Sequence, residues 1–197
     1  MVPELVPVPI PVPIPVLILV EGESDRCAVE VVARRFGVDL QAERVEIAAM
    51  GGITNLPARL AVLPGGTRVT GLYDAAQRGY VLRSLARLGR EEPFFACHED
   101  LEDELIRALG VDRVLEVIEA AGDLASYQIL TNQPFHRDRP RLDVLRRFMG
   151  TTSGRKLKYA GLLTEALDPG RTPRPLLDVL SQATRKDLRP GPRGRRR

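Results

Sequence analysis

Short apolar runs alternate with amphipathic segments over the first half of the chain. VLILV (16–20) is an uninterrupted apolar run rich in β-branched residues, the pattern of a strand covered on both faces. The following SDRCAVEVVARRFG (24–37) sets Val29, Val32, Ala33 and Phe36 on one helical face, with Ser24 as the expected N-cap and Gly37 as the stop. VEIAAM (45–50), RVTGLYD (68–74) and FFAC (94–97) repeat the strand pattern. Each is followed by a helical stretch: one that Asn55 can cap after the Gly51-Gly52 turn, then YVLRSLARLG, then HEDLEDELIRALG. Four strand-then-helix units in succession predict an α/β fold with a four-stranded parallel sheet flanked by helices.

Beyond residue 110 the strand pattern ends. VDRVLEVIEAAG, DLASYQILTNQ, RLDVLRRFMG, GRKLKYAGLLTEALD and PLLDVLSQAT are amphipathic segments parted by Gly or Pro, which predicts a helical C-terminal extension over 111–184. The sheet domain is expected over 16–110. Residues 1–15 place a proline at almost every second position, which rules out a helical signal core and predicts a disordered, polyproline-like leader.

Composition adds an asymmetry of charge. The 197 residues carry a formal net charge of +3, but RKDLRPGPRGRRR (185–197) holds seven basic residues and one acid. The rest of the chain is therefore slightly acidic. The segment is expected to be a disordered tail, open to two readings: solvation, or contact with phosphates. Cys27 and Cys97, without metal-ligand spacing, read as small core hydrophobes of a reducing, cytoplasmic environment. No segment has the length and apolarity of a membrane span, so no membrane partner is expected.

The chemistry concentrates where the strands end. In an open parallel sheet, ligands bind outside the carboxyl ends of the strands. Glu21 and Asp25 follow the first strand, Asp74 ends the third, and Glu99, Asp100, Glu102, Asp103 and Glu104 follow the fourth. Carboxylates gathered on one sheet edge repel one another unless a cation lies between them, and hard oxygen donors of this kind suit Mg²⁺ or Mn²⁺. The competing reading is that the acids cap helix N-termini. It is weakest at Glu21, which follows a buried strand and precedes a glycine; Glu23 reads as a solvated turn residue.

VLILVEGESD, GGITN, GLYDAAQ and DLEDELI, in that order, resemble a Toprim domain, in particular the one in the nuclease half of overcoming-lysogenization-defect (OLD) family endonucleases. The resemblance implies a Toprim-like sheet and a Mg²⁺- or Mn²⁺-dependent endonuclease acting on DNA. It implies metal ligands at Glu21, Asp25, Asp74 and Glu102, acid/base work at Glu21, and a catalytic lysine at Lys156, with Lys158 as the second choice. Arg155, Lys156 and Lys158 are the expected nucleic-acid contacts. In the OLD family an ATPase module accompanies the nuclease. This sequence has no GxxxxGK[ST] loop, so the implied partner is a separately encoded ATPase.

The sequence departs from the pattern at Asp74-Ala75-Ala76, where Asp-x-Asp is expected, and at Gln77, where related sequences often carry another acid. One cation keeps its ligands; a second lacks one. The rival reading is thus a catalytically weakened Toprim module that binds nucleic acid or a partner ATPase. A small Toprim nuclease of ribosomal-RNA maturation is comparable in size, whereas primases and topoisomerases need further domains. Gly51 and Gly52 read either as a plain βα turn or as amides open to a phosphate. His98 and His136 are expected to be solvated loop residues, and Phe94, Phe95, Phe148 and Tyr159 to be core.

Overall fold

The computed structural model describes residues 16–150, 152 and 154–188. The expected leader 1–15 and residues 189–197 of the expected tail lie outside the described residues. β1 (Val16–Val20) leads into α1 (Glu23–Arg35), β2 (Val45–Ala49), α2 (Leu56–Ala61), β3 (Arg68–Asp74), α3 (Arg78–Arg87), β4 (Phe94–Cys97) and α4 (Leu101–Leu109). The extension adds α5 (Val111–Ala120), α6 (Leu124–Thr131), α7 (Arg141–Gly150), α8 (Arg155–Ala166) and α9 (Arg174–Thr184).

The strands form one parallel sheet in the order β2-β1-β3-β4. The chain moves from β1 to β2 on one side and then returns across β1 to β3. The point where that direction reverses lies between β1 and β3, and the crevice at their carboxyl ends is where such sheets bind ligands.

Strand alternation divides the core in two. Val16, Ile18 and Val20 of β1 join a large cluster with α1, α4, α7, α8 and α9. Leu19, Val69 and Tyr73 point the other way, into a smaller cluster under α2 and α3. Ile18, Leu19 and Val20 are wholly buried, which at about 1.5–3 kcal/mol per large aliphatic side chain makes β1 the anchor of the fold. β1 and β3 approach closely because residue 71 is glycine: a Cβ there would lie 2.4 Å from the Leu19 carbonyl oxygen and 2.4 Å from the Phe94 ring.

The extension shares the larger cluster rather than forming a core of its own. α8 lies along α1, where Gly161 faces Cys27, and Arg34 and Arg35 both reach Glu165 across that seam. α9 lies on β1, β3 and β4. Of the segment expected as a disordered tail from 185, two residues are tied to the body: Lys186 pairs with Glu43, and the Leu188 amide donates to Ser181 Oγ at 3.2 Å. Phe148 and Tyr159 are buried, as expected of core aromatics, while Phe94 and Phe95 are half-buried. His136 departs from expectation. It is only 6% exposed, because a 3₁₀ turn at Pro134–His136 folds it inward against Phe135. His98 is exposed, beside Asp103.

Candidate functional site

The turn from β1 into α1 is tight enough that the helix begins at Glu23, with Gly22 rather than the expected Ser24 at the N-cap position. Ser24 is buried. Asp25 performs the cap by reaching back, its Oδ2 accepting the Gly22 amide at 2.8 Å. One oxygen of Asp25 therefore does the helix-capping work of the competing reading, favoured by the helix dipole. Burial nevertheless holds the Asp25 carboxyl above the usual carboxylate range, and Glu21 adds to that, against the Gly22 amide and Lys156.

Glu21 is fixed at two points. The amides of Gly51 and Gly52 both donate to its backbone carbonyl at 3.1 Å. Their φ values of 72° and 117° are open to glycine, so the two glycines bend the chain beneath the end of β1. These amides are thus spent on Glu21 rather than left for a phosphate. Asn55, the expected helix cap, braces the same turn, its Nδ2 donating to the Met50 carbonyl at 2.9 Å. The Glu21 side chain is held separately: Gln77 Nε2 donates to its Oε2 at 3.0 Å. Gln77 lies in a 3₁₀ turn directly after β3.

Asp74 completes the group from the end of β3. Burial and then the charges of Glu21, Asp25 and Asp100 push its carboxyl up to about 7, against the pull of Lys156. Glu21, Asp25, Asp74 and Lys156 line one cleft of about 480 Å³, together with Gly22, Gly51 and Gly52.

Glu102 stands behind the cleft wall rather than on it. It is 5% exposed, and burial raises its carboxyl above the usual range. Lys156 Nζ lies 3.2 Å from Glu102 Oε2, while Oε1 has no partner among the described residues. The lysine side chain is 52% exposed and reaches the acids from the start of α8. Burial disfavours its charge, but Glu102, Asp25 and Asp100 together outweigh that and raise the ammonium above its ordinary value.

The three expected nucleic-acid contacts do not share one side of α8. Arg155 stacks over the Phe148 ring at 4.1 Å and donates to the Phe148 carbonyl. Lys158 pairs with Asp123 at 2.9 Å. Residues 155 and 158 are three apart and share one side of α8, whereas residue 156 is turned about 100° from 155. Lys156 alone of the three lines the acidic cleft. Asp100, whose charge acts on Asp74, caps α4 through the Asp103 amide and pairs with Arg146 at 2.6 Å.

Among the described residues, no three His, Cys, Asp or Glu side chains stand close enough together to enclose an ion as they are placed. The donor chemistry does suit a divalent cation. Glu21, Asp25 and Asp74 are hard oxygen donors, and burial first and then the neighbouring carboxylates push Asp74 towards neutrality.

Residues 16–65 match the family model described as "Overcoming lysogenization defect protein-like, TOPRIM domain". There is no match among curated protein sequences. Among solved structures, the C-terminal region of the Xanthomonas campestris pv. campestris OLD protein superposes with a TM-score of 0.68 at 20% identity, covering 87% of this chain and 93% of that one. The C-terminal region of the Burkholderia pseudomallei OLD protein gives 0.63 at 20% identity, covering 86% and 97%. At these identities the likeness to the solved structures is one of fold, and it takes in the helical extension as well as the sheet.

Proposed function

We propose that this chain, which carries an OLD-like Toprim domain, is a divalent-cation-dependent endonuclease that hydrolyses phosphodiester bonds in DNA. The carrying observation is the convergence of Glu21, Asp25, Asp74 and Lys156 on one cleft at the switch point of the sheet.

Asp25 and Asp74, with Glu21, would hold Mg²⁺ or Mn²⁺. The cation, once bound, supplies positive charge that polarises the scissile phosphate. Glu21 is set for acid/base work, because its backbone is pinned by two amides and its carboxylate is oriented by Gln77. Lys156 offsets the negative charge that develops on the phosphate oxygens. Its exposed stem lets the ammonium swing from Glu102 towards a ligand in the cleft. Glu102 then acts through Lys156, holding it over the acids in the absence of DNA. The nucleic-acid role narrows to Lys156, since Arg155 and Lys158 are engaged elsewhere.

Purified chain with Mg²⁺ or Mn²⁺ is expected to nick supercoiled plasmid, and Glu21→Gln to abolish nicking. Undiminished nicking by that variant would sink the assignment.

One observation favours a second reading, a weakened module that binds DNA or a separately encoded ATPase. Ala76, which is exposed, presents a methyl group where a second acid is expected. Calorimetry separates the two readings: Mn²⁺ binding is expected of the enzyme, and its absence with and without DNA is expected of the module.

A further inference from the structure

We infer that Gln77 is a positioning residue for Glu21, and that by doing with an amide what a second cation would otherwise do, it makes this a one-cation site. The inference rests on the cation-dependent reading of the cleft and concerns how many ions the cleft takes and what replaces the missing one.

Three side chains follow Asp74 before α3 begins. Two are methyl groups, and only Gln77 is long enough and polar enough to act across the crevice. It does so, with Nε2 at 3.0 Å from Glu21 Oε2, joining the turn after β3 to the end of β1 over the switch point. The other end of the amide, Oε1, is buried with no partner among the described residues, so the contact with Glu21 is what orients the group. A carboxylate in this place would put two like charges about 3 Å apart, an arrangement that requires a shared proton or a bridging cation. A carboxamide presents a permanent N–H dipole instead. It stabilises the Glu21 carboxylate with a hydrogen bond and without an ion, and it fixes the side chain before substrate arrives.

The loss of the second acid at Ala76 and the amide at Gln77 are then two parts of one arrangement. The first removes a ligand that a second cation would need. The second removes the repulsion that would call for it.

The test uses the full chain and Mn²⁺. Calorimetry and electron paramagnetic resonance are expected to count one Mn²⁺ per chain in the wild type and in Gln77→Leu, and two in the double variant Ala76→Asp/Gln77→Glu, which restores both acids. Two ions in the wild type, or one in the double variant, would overturn the inference. In plasmid nicking, Gln77→Leu is expected to lower kcat roughly ten- to a hundredfold, as for loss of a hydrogen bond to a charged group, with KM for DNA unchanged. Ala76→Asp/Gln77→Glu is expected to be slow at low Mn²⁺ and to recover as Mn²⁺ is raised. A parallel fall in all variants with no recovery would mark a merely structural role. Circular dichroism establishes that each variant is folded. A chain that shows the expected ion counts yet never nicks DNA would refute the nuclease reading while upholding the role of Gln77.

Discussion

Replacing Asp74 by Asn removes the carboxylate that suffers most from its surroundings, and the effect on stability has a definite sign. The folded chain holds this carboxyl at about 7 against an ordinary 3.8, through burial and the charges of Glu21, Asp25 and Asp100. Between those two values the folded state keeps a proton that the unfolded state has released. Stability is therefore fully present below pH 4 and falls as the pH rises towards 7. At ~1.4 kcal/mol per pH unit the full span corresponds to about 4 kcal/mol. Asp74 is partly open to the cleft, and solvent screening leaves about 1–2 kcal/mol. Asn is nearly isosteric and cannot ionise. Metal-free Asp74→Asn protein is expected to match the wild type at pH 4 and to be more stable by that amount at pH 8, a rise in Tm of about 3–6 °C. Thermal unfolding in EDTA at the two pH values measures it. Saturating Mg²⁺ at pH 8 should erase the advantage by stabilising the wild type alone. The reasoning fails if Asp74→Asn is no more stable than the wild type at pH 8, or if the difference is the same at both pH values.

Gly71→Ala is expected to cost about 3 kcal/mol by urea unfolding, since the new methyl meets a backbone oxygen that cannot move without breaking the β1–β3 pairing. Lys156→Met leaves buried Glu102 without its counter-ion, with an expected loss of about 1–2 kcal/mol that Glu102→Gln in the same chain restores; strictly additive single effects would contradict the pairing. Burial and neighbouring acids drive the Cys97 thiol far above its ordinary range, so a thiol reagent at pH 8 should label Cys97 only as the protein unfolds.

The strands were legible in the sequence because each is a short apolar run with β-branched or aromatic residues and polar or glycine borders. The spans expected at 16–20, 68–74 and 94–97 coincide with β1, β3 and β4, and β2 ends one residue before the expected 50. The cleft was legible as far as charge goes, since carboxylates at strand ends can be counted along a chain. Phase and neighbours were not legible. A basic triplet at 155, 156 and 158 reads as one face until the packing of α8 shows which side is taken up by Phe148 and Asp123. His136 sits in a polar stretch, yet its local turn buries it. Gln77 carries no charge to mark it, and its bond to Glu21 spans 56 positions. The cap of α1 shifted from Ser24 to Gly22 because the turn from β1 is shorter than the expected pattern allows.

The shared core of sheet and extension has a consequence for how the protein is made. When the first 110 residues have left the ribosome, the part of the sheet later covered by α9 and the side of α1 later covered by α8 are still open. The α9 residues that pack on β1 lie more than 150 positions further along the chain, long-range contacts of a kind that slow folding and leave part of the apolar sheet uncovered during synthesis. Lys156 arrives in the same late segment, so the acids of the cleft are assembled before the lysine that balances them. A nascent chain would pass through a window in which it is prone to aggregation and its acids lack that lysine, and both conditions end together when α8 docks.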